Sequence, residues 1–236
     1  MIWRWLICSS AAAGLALAGS VTGEVELTNS KNDAVRKHKD YSGVVVWLEP
    51  VDHAAQPVAG KHAEMLQKDK QFQPHVLAIS VGTTVEFPNL DLIFHNAFSN
   101  FSGQPFDVGL YPPKTSKAVA FRHAGIVRVF CNIHSTMSAI IAVVNTPWYT
   151  VTNPNGKFSI PNVPPGQYNL RFFHERAQPD SLQFLGHVIT VPETGLALPL
   201  ISISETGYIP TQHLNKYGRE YPPLANDGTY PGAPKQ

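Results

Sequence analysis

The sequence predicts an all-β protein made of two consecutive sandwiches. Three observations carry that prediction. Short β-branched or aromatic runs bounded by Gly and Pro recur along the 236 residues, as half-buried or buried strands do. Turn signals such as Gly82-Thr83 and Asn155-Gly156 separate those runs. The pattern then restarts after Asn145, where Thr146-Pro147-Trp148-Tyr149 opens a second series of hairpins. The chain is long enough for one large or two small β-domains.

At the start, Met1-Ile2-Trp3-Arg4-Trp5 carries one positive charge. The apolar, alanine-rich run from Leu6 to Ala18 that follows is short for a bilayer span, which reads as a secretory signal. Cleavage after Ala16-Leu17-Ala18 fits the small-residue rule and Gly23 serves nearly as well, so residues 1–23 are assigned to the leader; an uncleaved anchor is the alternative. Cys8 comes too early in the run to be a lipid-attachment cysteine. No later span is apolar enough to cross a membrane.

The strands follow in order. Glu24 to Thr28 alternates at strand period, and Gly43-Val44-Val45-Val46-Trp47-Leu48 is a β-branched run. Ser30 to Asp40 between them is polar and predicts a surface turn or loop. The β pattern lapses from Pro50 to Lys70, where Ala63 to Lys68 could form a helical turn or two. Strands resume at Pro74 to Val81, turn at Gly82-Thr83, and continue through Thr84-Val85-Glu86-Phe87. After an aromatic, glycine-containing loop from Phe98 to Phe106 and a turn at Pro112 to Ser116, strands are expected at Ala118 to Phe121 and Gly125 to Phe130. The apolar run Ser138 to Val144 closes the first sandwich, residues 24–145. The second, residues 146–205, takes Thr150 to Thr152, Lys157 to Ile160, Gln167 to His174, His187 to Val191 and Leu196 to Ile203. Residues 206–236 lack periodicity and predict an extended or disordered tail.

The balance of charge excludes some functions. Lys plus Arg number 18 against 17 Asp plus Glu, and loss of Arg4 with the leader leaves the mature chain neutral. That argues against nucleic acid and against strong electrostatic steering, leaving apolar or mixed contacts for docking. With Cys8 removed, Cys131 is the only thiol and forms no internal disulfide.

Chemistry concentrates in Cys131-Asn132-Ile133-His134-Ser135-Thr136-Met137, the connection between two core strands. Taken singly, Cys131 and Met137 read as core packing and His134 as a turn residue. Together they offer a thiolate, an imidazole and a thioether, the set that copper prefers once a second imidazole joins it. His95 is the best candidate for the second imidazole; His75, within a strand, and His123, beside Arg122, compete with it.

The run Val81 to Phe87, with Asn89, Asp91, His95-Asn96 and Cys131 to Met137, resembles the plastocyanin and azurin family of cupredoxins, and the Cys-x-x-His-x-x-Met loop looks like that of amicyanin and methylamine-utilisation-type proteins. The resemblance covers Glu24 to Asn145. It implies a Greek-key sandwich holding one type 1 copper ion through His95, Cys131, His134 and Met137, with Asn96 bracing the loop. It also implies a non-enzymatic carrier that passes single electrons between redox donor and acceptor proteins, with His134 as the electron port. A patch around Phe98, Phe101 and Phe106 would receive the partner. A monomer in the periplasm is the expectation. The run Asn155 to Tyr168 resembles the carboxypeptidase regulatory-like, transthyretin-like or Ig-like sandwiches, which are generally non-catalytic; His174-Glu175-Arg176 reads as an exposed polar strand end.

Three rival functions fit the residues less well. A nitrite reductase or multicopper oxidase would need further ligands, and no His-x-His pair occurs. A copper carrier or storage protein would favour Met clusters, and the chain has three methionines. An envelope-binding protein would favour a cluster of aromatics, and Tyr208, Tyr217, Tyr221 and Tyr230 are dispersed.

Overall fold

The structure, a computed structural model, describes residues 19–56, 60–100, 104–209 and 213–221. Its framework is β throughout, as predicted, with two short helices at Asp33–His38 and Pro179–Leu185. No helix among the described residues is long and apolar enough to cross a membrane.

One sandwich is built from residues 62–144. Its larger sheet runs in the order Val76–Ser80, Ser138–Val144, Gly125–Phe130, Phe98–Ser99, Phe106–Asp107, and its smaller sheet in the order Ser116–Ala120, Thr84–Pro88, His62–Glu64. Val127, Val129, Ala139, Ile141 and Val143 fill the space between them with Val85, Phe87 and Phe121. The uninterrupted apolar run of Ser138–Val144 has a physical cause. Its alternate residues Ile140 and Ala142 face the other way, into a separate cluster with Val45 and Val76. A strand buried on both faces loses the polar half of its alternation.

The second sandwich recruits the beginning of the chain, which corrects the sequence-based grouping. Gly19–Thr28 pairs antiparallel with Lys157–Val163 and parallel with Ile201–Ser204. Val45–Pro50 lies between Tyr149–Val151 and Gly166–Phe173. Val21, Val25, Leu27, Val46 and Leu48 share one core with Phe158, Ile160, Tyr168 and Leu170. The boundary drawn at residues 24–145 therefore divides strands that hydrogen bonding joins. Residues 62–144 form an insertion whose two ends emerge side by side, because Trp47 lies opposite Tyr149; adjacent ends are what let one sandwich be inserted into another. Gly156 locks this arrangement: its φ is +74°, and a Cβ there would collide with the Val25 carbonyl oxygen, the residue whose N–H donates to the Gly156 carbonyl at 2.9 Å.

Other expectations change in detail. Ser30 to Asp40 contains a helix at Asp33–His38, capped by the Asn32 side chain on the Ala34 N–H. The helical turns expected at Ala63 to Lys68 are strands, His62–Glu64 and Leu66–Lys68. Met65 and Gln67 are buried between more exposed neighbours, a period of two rather than 3.6. His174, expected at an exposed strand end, is 1% exposed. Its Nε2 meets Glu205 Oε1 at 2.9 Å, and Arg176 Nε donates to the same oxygen at 3.0 Å. The sandwiches are also tied by His75, whose Nε2 meets the Glu175 carboxylate at 3.0 Å and whose Nδ1 meets the Ser138 carbonyl at 3.1 Å. The hydrogen bond to Glu175, working against burial, raises the His75 pKa. Finally, residues 213–221, placed by the sequence in an extended tail, fold back against the Cys131 loop through Tyr221 and Lys216.

Candidate metal centre

Strand alternation aims Cys131 inward. It continues the Val127, Val129 face and lies fully buried in the same core. The chain then turns: the Met137 N–H donates to the His134 carbonyl at 3.1 Å, and the Cys131 N–H donates to the Met137 carbonyl at 3.2 Å. Those two bonds close the seven-residue loop before Ser138 enters its strand.

His95 arrives from the other side. Its N–H donates to the Tyr111 carbonyl at 3.2 Å and its carbonyl accepts from the Tyr111 N–H at 2.9 Å. The Tyr111 hydroxyl is itself anchored, donating to the Phe87 carbonyl at 2.8 Å and accepting from Gln67 Nε2 at 2.6 Å. This places the His95 and His134 rings 4.8 Å apart, with Cys131 Sγ 3.9 Å from His95 Nδ1 and 3.5 Å from His134 Nδ1. His95, Cys131 and His134 are all buried, and each offers a ligand atom within 4.8 Å of the others. Met137 is fully buried in the cluster that holds Cys131. His75 and His123, the competing histidines, lie outside this group: His75 is engaged with Glu175 and Ser138, and His123 is exposed.

The electrostatics prepare both rings as ligands. His95 Nε2 faces Asp91 Oδ2 at 2.8 Å, so Nε2 carries the proton and Nδ1 keeps its lone pair. Burial would raise the Asp91 pKa, but hydrogen bonds from the Lys70 N–H, the His95 ring and the Asp69 N–H outweigh it and keep the carboxyl ionised. Burial lowers the pKa of His95 despite Asp91. Burial, followed by repulsion from His95 and Lys70, brings His134 down to about 4. Both imidazoles are therefore neutral at pH 7. Burial pushes the Cys131 thiol up, opposed by the backbone N–H groups of Ile133, Asn96 and His134, so a metal that takes the thiolate displaces a proton.

Asn96 ties the two ligand segments together. Its Oδ1 accepts from the Asn132 N–H at 3.3 Å, and its Nδ2 donates to Asp107 Oδ1 at 2.7 Å and the Gly109 carbonyl at 2.9 Å. Sequence reasoning did not assign roles to Asp91, Asp107 or Tyr111. For Asp91 a signal existed, a carboxylate four residues ahead of the candidate histidine; Tyr111 has no local signature.

The aromatic patch moves. Phe98 is 1% exposed and packs on Phe130 at 5.9 Å, while Phe106 lies between Phe87 and Phe121, 5.8 Å from each. Phe101 lies outside the described residues. The apolar side chains exposed on the segments leading to His95 and Tyr111 are instead Leu90, Leu92, Phe94 and Leu110.

A scan against protein-family models finds no match, and neither does a comparison with curated proteins. Among solved structures, the chain is similar to the Cu-containing nitrite reductase of Thermus scotoductus SA-01, with 29% identity over 41% of this chain and 25% of that one, at a TM-score of 0.35. It is also similar to a purple cupredoxin from Nitrosopumilus maritimus, with 22% identity over 35% of this chain and 99% of that one, at a TM-score of 0.32. For amicyanin from Paracoccus versutus, the identity is 17% over 42% of this chain and 97% of that one, at a TM-score of 0.34. The chain spans about a quarter of the nitrite reductase, and these similarities each reach less than half of this chain.

Proposed function

We propose that this protein binds one type 1 copper ion through His95, Cys131, His134 and Met137 and carries single electrons between redox partners. The observation that carries the reading is the convergence of two buried imidazole Nδ1 atoms on one buried cysteine sulfur, at 3.9 and 3.5 Å. The donor set fits copper: a thiolate, two imidazoles and a thioether are the soft and borderline ligands that copper would take. When bound, copper supplies one-electron chemistry between its Cu(I) and Cu(II) states.

The chain supplies the rest. Asp91 fixes the His95 tautomer, and Asn96 fixes the separation of the two ligand segments. The apolar cluster around Cys131 excludes water from the site. A rigid scaffold keeps the ligands in one geometry, which keeps reorganisation small when the charge changes. His134 retains 6% exposure whereas His95 has none, which favours His134 as the electron port. Leu90, Leu92, Phe94 and Leu110 offer the apolar contact for a redox protein.

The proposed role is that of a carrier rather than an enzyme, with His95, Cys131 and His134 as the candidate ligand group. Export to the periplasm and a monomeric state complete the proposal. Leader cleavage after Ala18 suits it better than cleavage after Gly23, because Val21 is fully buried in the strand that starts at Gly19.

The test is the visible and electron-paramagnetic spectrum of the mature protein with Cu(II), alongside Cys131→Ser. An intense thiolate-to-copper absorption that disappears in the variant supports the proposal. Failure to bind copper, or a pale spectrum indifferent to Cys131, overturns it.

A further inference from the structure

After the last strand of the second sandwich, Ile201–Ser204, the chain crosses to the metal loop. The segment from His213 to Tyr221 arrives already shaped. Asn215 Oδ1 accepts from the Tyr217 and Arg219 N–H groups at 2.9 and 3.1 Å, and the Asn215 N–H donates to the Arg219 carbonyl at 2.9 Å. Asn215 thus shapes this turn through its own side chain, as asparagine commonly does.

This segment makes three kinds of contact with the ligand loop and its surroundings. The Tyr221 hydroxyl donates to the carbonyl of Cys131 at 2.6 Å. The His213 ring stacks on Phe130, the residue before Cys131, at 4.2 Å and 24°, and meets the Tyr221 ring edge-on at 5.2 Å. Lys216 completes a closed ring of hydrogen bonds. Its N–H donates to Asn132 Oδ1 at 2.9 Å, and the Asn132 N–H donates to Asn96 Oδ1. Asn96 Nδ2 donates to Asp107 Oδ1, and Asp107 Oδ2 receives Lys216 Nζ at 2.7 Å. Asn132 follows Cys131 and Asn96 follows His95, so the ring spans both ligand segments one residue beyond each ligand.

We propose that His213–Tyr221 is an intramolecular clamp on the metal loop, with Tyr221 and Lys216 as positioning residues that hold the Cys131 and His95 segments at their ligating separation. Neither residue is a candidate ligand: Tyr221 acts through the Cys131 carbonyl, and Lys216 through the Asn132 and Asp107 side chains. The clamp makes the second sandwich part of the centre, because the strand that launches the segment is hydrogen-bonded in that sandwich. Without Tyr221, the carbonyl of a fully buried cysteine loses its donor, and a buried acceptor left unpaired favours loop openings that expose it to water. Its metal-dependent consequence, slower exchange of the ion, rests on the copper reading above; the ordering of the loop does not.

Two experiments on the full mature chain separate these. In metal-free protein, amide hydrogen exchange of residues 131–137 in Tyr221→Phe should quicken by about three- to tenfold, the effect of one lost hydrogen bond. Exchange at Thr84–Pro88 should not change. Tyr149→Phe, in a strand of the second sandwich outside the clamp, should match wild type. Lys216→Asp should quicken loop exchange, and Lys216→Arg, which keeps a cation beside Asp107, should stay near wild type. In copper-loaded protein, Tyr221→Phe should release Cu(I) to a competing chelator faster by a similar factor and shift the thiolate-to-copper band. If the metal-free loop exchanges at the wild-type rate in both Tyr221→Phe and Lys216→Asp, the clamp is wrong. Should the wild type take up no copper, the proposed function fails, while the metal-free exchange still decides the clamp. Should Tyr221→Phe fail to fold, the Lys216 variants, altered at a partly exposed residue, decide it alone.

Discussion

Removing the Asp91 carboxylate with Asp91→Ala tests how far the proposed metal centre depends on a residue that is not one of its candidate ligands. His95 is fully buried, and its Nε2–H has Asp91 Oδ2 at 2.8 Å as its acceptor. The same carboxylate receives the Asp69 N–H at 2.7 Å and the Lys70 N–H at 2.9 Å, so it also organises the turn beside the ring. Deleting it leaves a buried donor unpaired and frees the imidazole to protonate Nδ1, the nitrogen that faces Cys131. A hydrogen bond to a charged group is worth ~1.5–3 kcal/mol, or about ten- to a hundredfold in affinity, which agrees with the usual effect of residues that orient metal ligands. Asp91→Asn should fall between wild type and Asp91→Ala, because an amide oxygen can still accept from Nε2 while its NH2 group meets one of the two backbone donors. Competition for copper against a chelator of known affinity, at fixed pH, measures this. A copper affinity for Asp91→Ala within about twofold of wild type, less than one ordinary hydrogen bond contributes, would refute the argument that Asp91 sets the His95 tautomer.

Three further outcomes follow from the same structure. Gly156→Ala should lower stability by at least ~2 kcal/mol, from the positive φ and the collision with the Val25 carbonyl, read as a shift in the denaturation midpoint; an unchanged midpoint would mean the turn relaxes freely. Leu92 is 83% exposed, so Leu92→Glu should leave the fold and copper spectrum intact. It should slow electron self-exchange between copies by about tenfold, the equivalent of one lost leucine contact at ~1.5 kcal/mol; an unchanged rate would move the docking surface elsewhere. Glu205 is held at a pKa of about 2, below its ordinary 4.5: burial opposes this, and the bonds from His174 and Ser30 with the nearby Arg176 outweigh burial. A carboxyl depressed by folding contributes stability that is full above pH 4.5 and is lost as pH falls towards 2. Glu205→Gln should flatten that acid limb of the stability profile, and an acid limb identical to wild type would remove Glu205 as its source.

Local chemistry is legible in the sequence itself. The Cys-x-x-His-x-x-Met spacing puts three donors on one loop because a loop of that length, closed between two core strands, has nowhere else to place them. Strand periodicity is equally local, which is why Gly125–Phe130 and Ser138–Val144 could be read directly. The expectation of helical turns at Ala63 to Lys68 failed because six residues of mixed polarity carry too few periods to separate 3.6 from 2; tertiary burial of Met65 and Gln67 settled it.

Pairing across long separations lies beyond such reading. Val21 and Val46 are apolar in the same way whether they join the sandwich that holds Cys131 or the other one, and only the complementary faces of Lys157–Val163 and Gly166–Phe173 decide the matter. Phe98 and Leu92 show the same limit at the surface, since a phenylalanine in a polar loop turned inward while a leucine in an apolar run turned out. By itself, the sequence determined an all-β chain and the identity of the candidate ligands. Tertiary structure alone decided that residues 62–144 are inserted in the second sandwich, that Asp91 orients His95, and that Tyr221 reaches the carbonyl of Cys131. Spacing and side-chain type act within a few residues, whereas a hydrogen bond between residues 90 positions apart exists only once both segments have found their place in the fold.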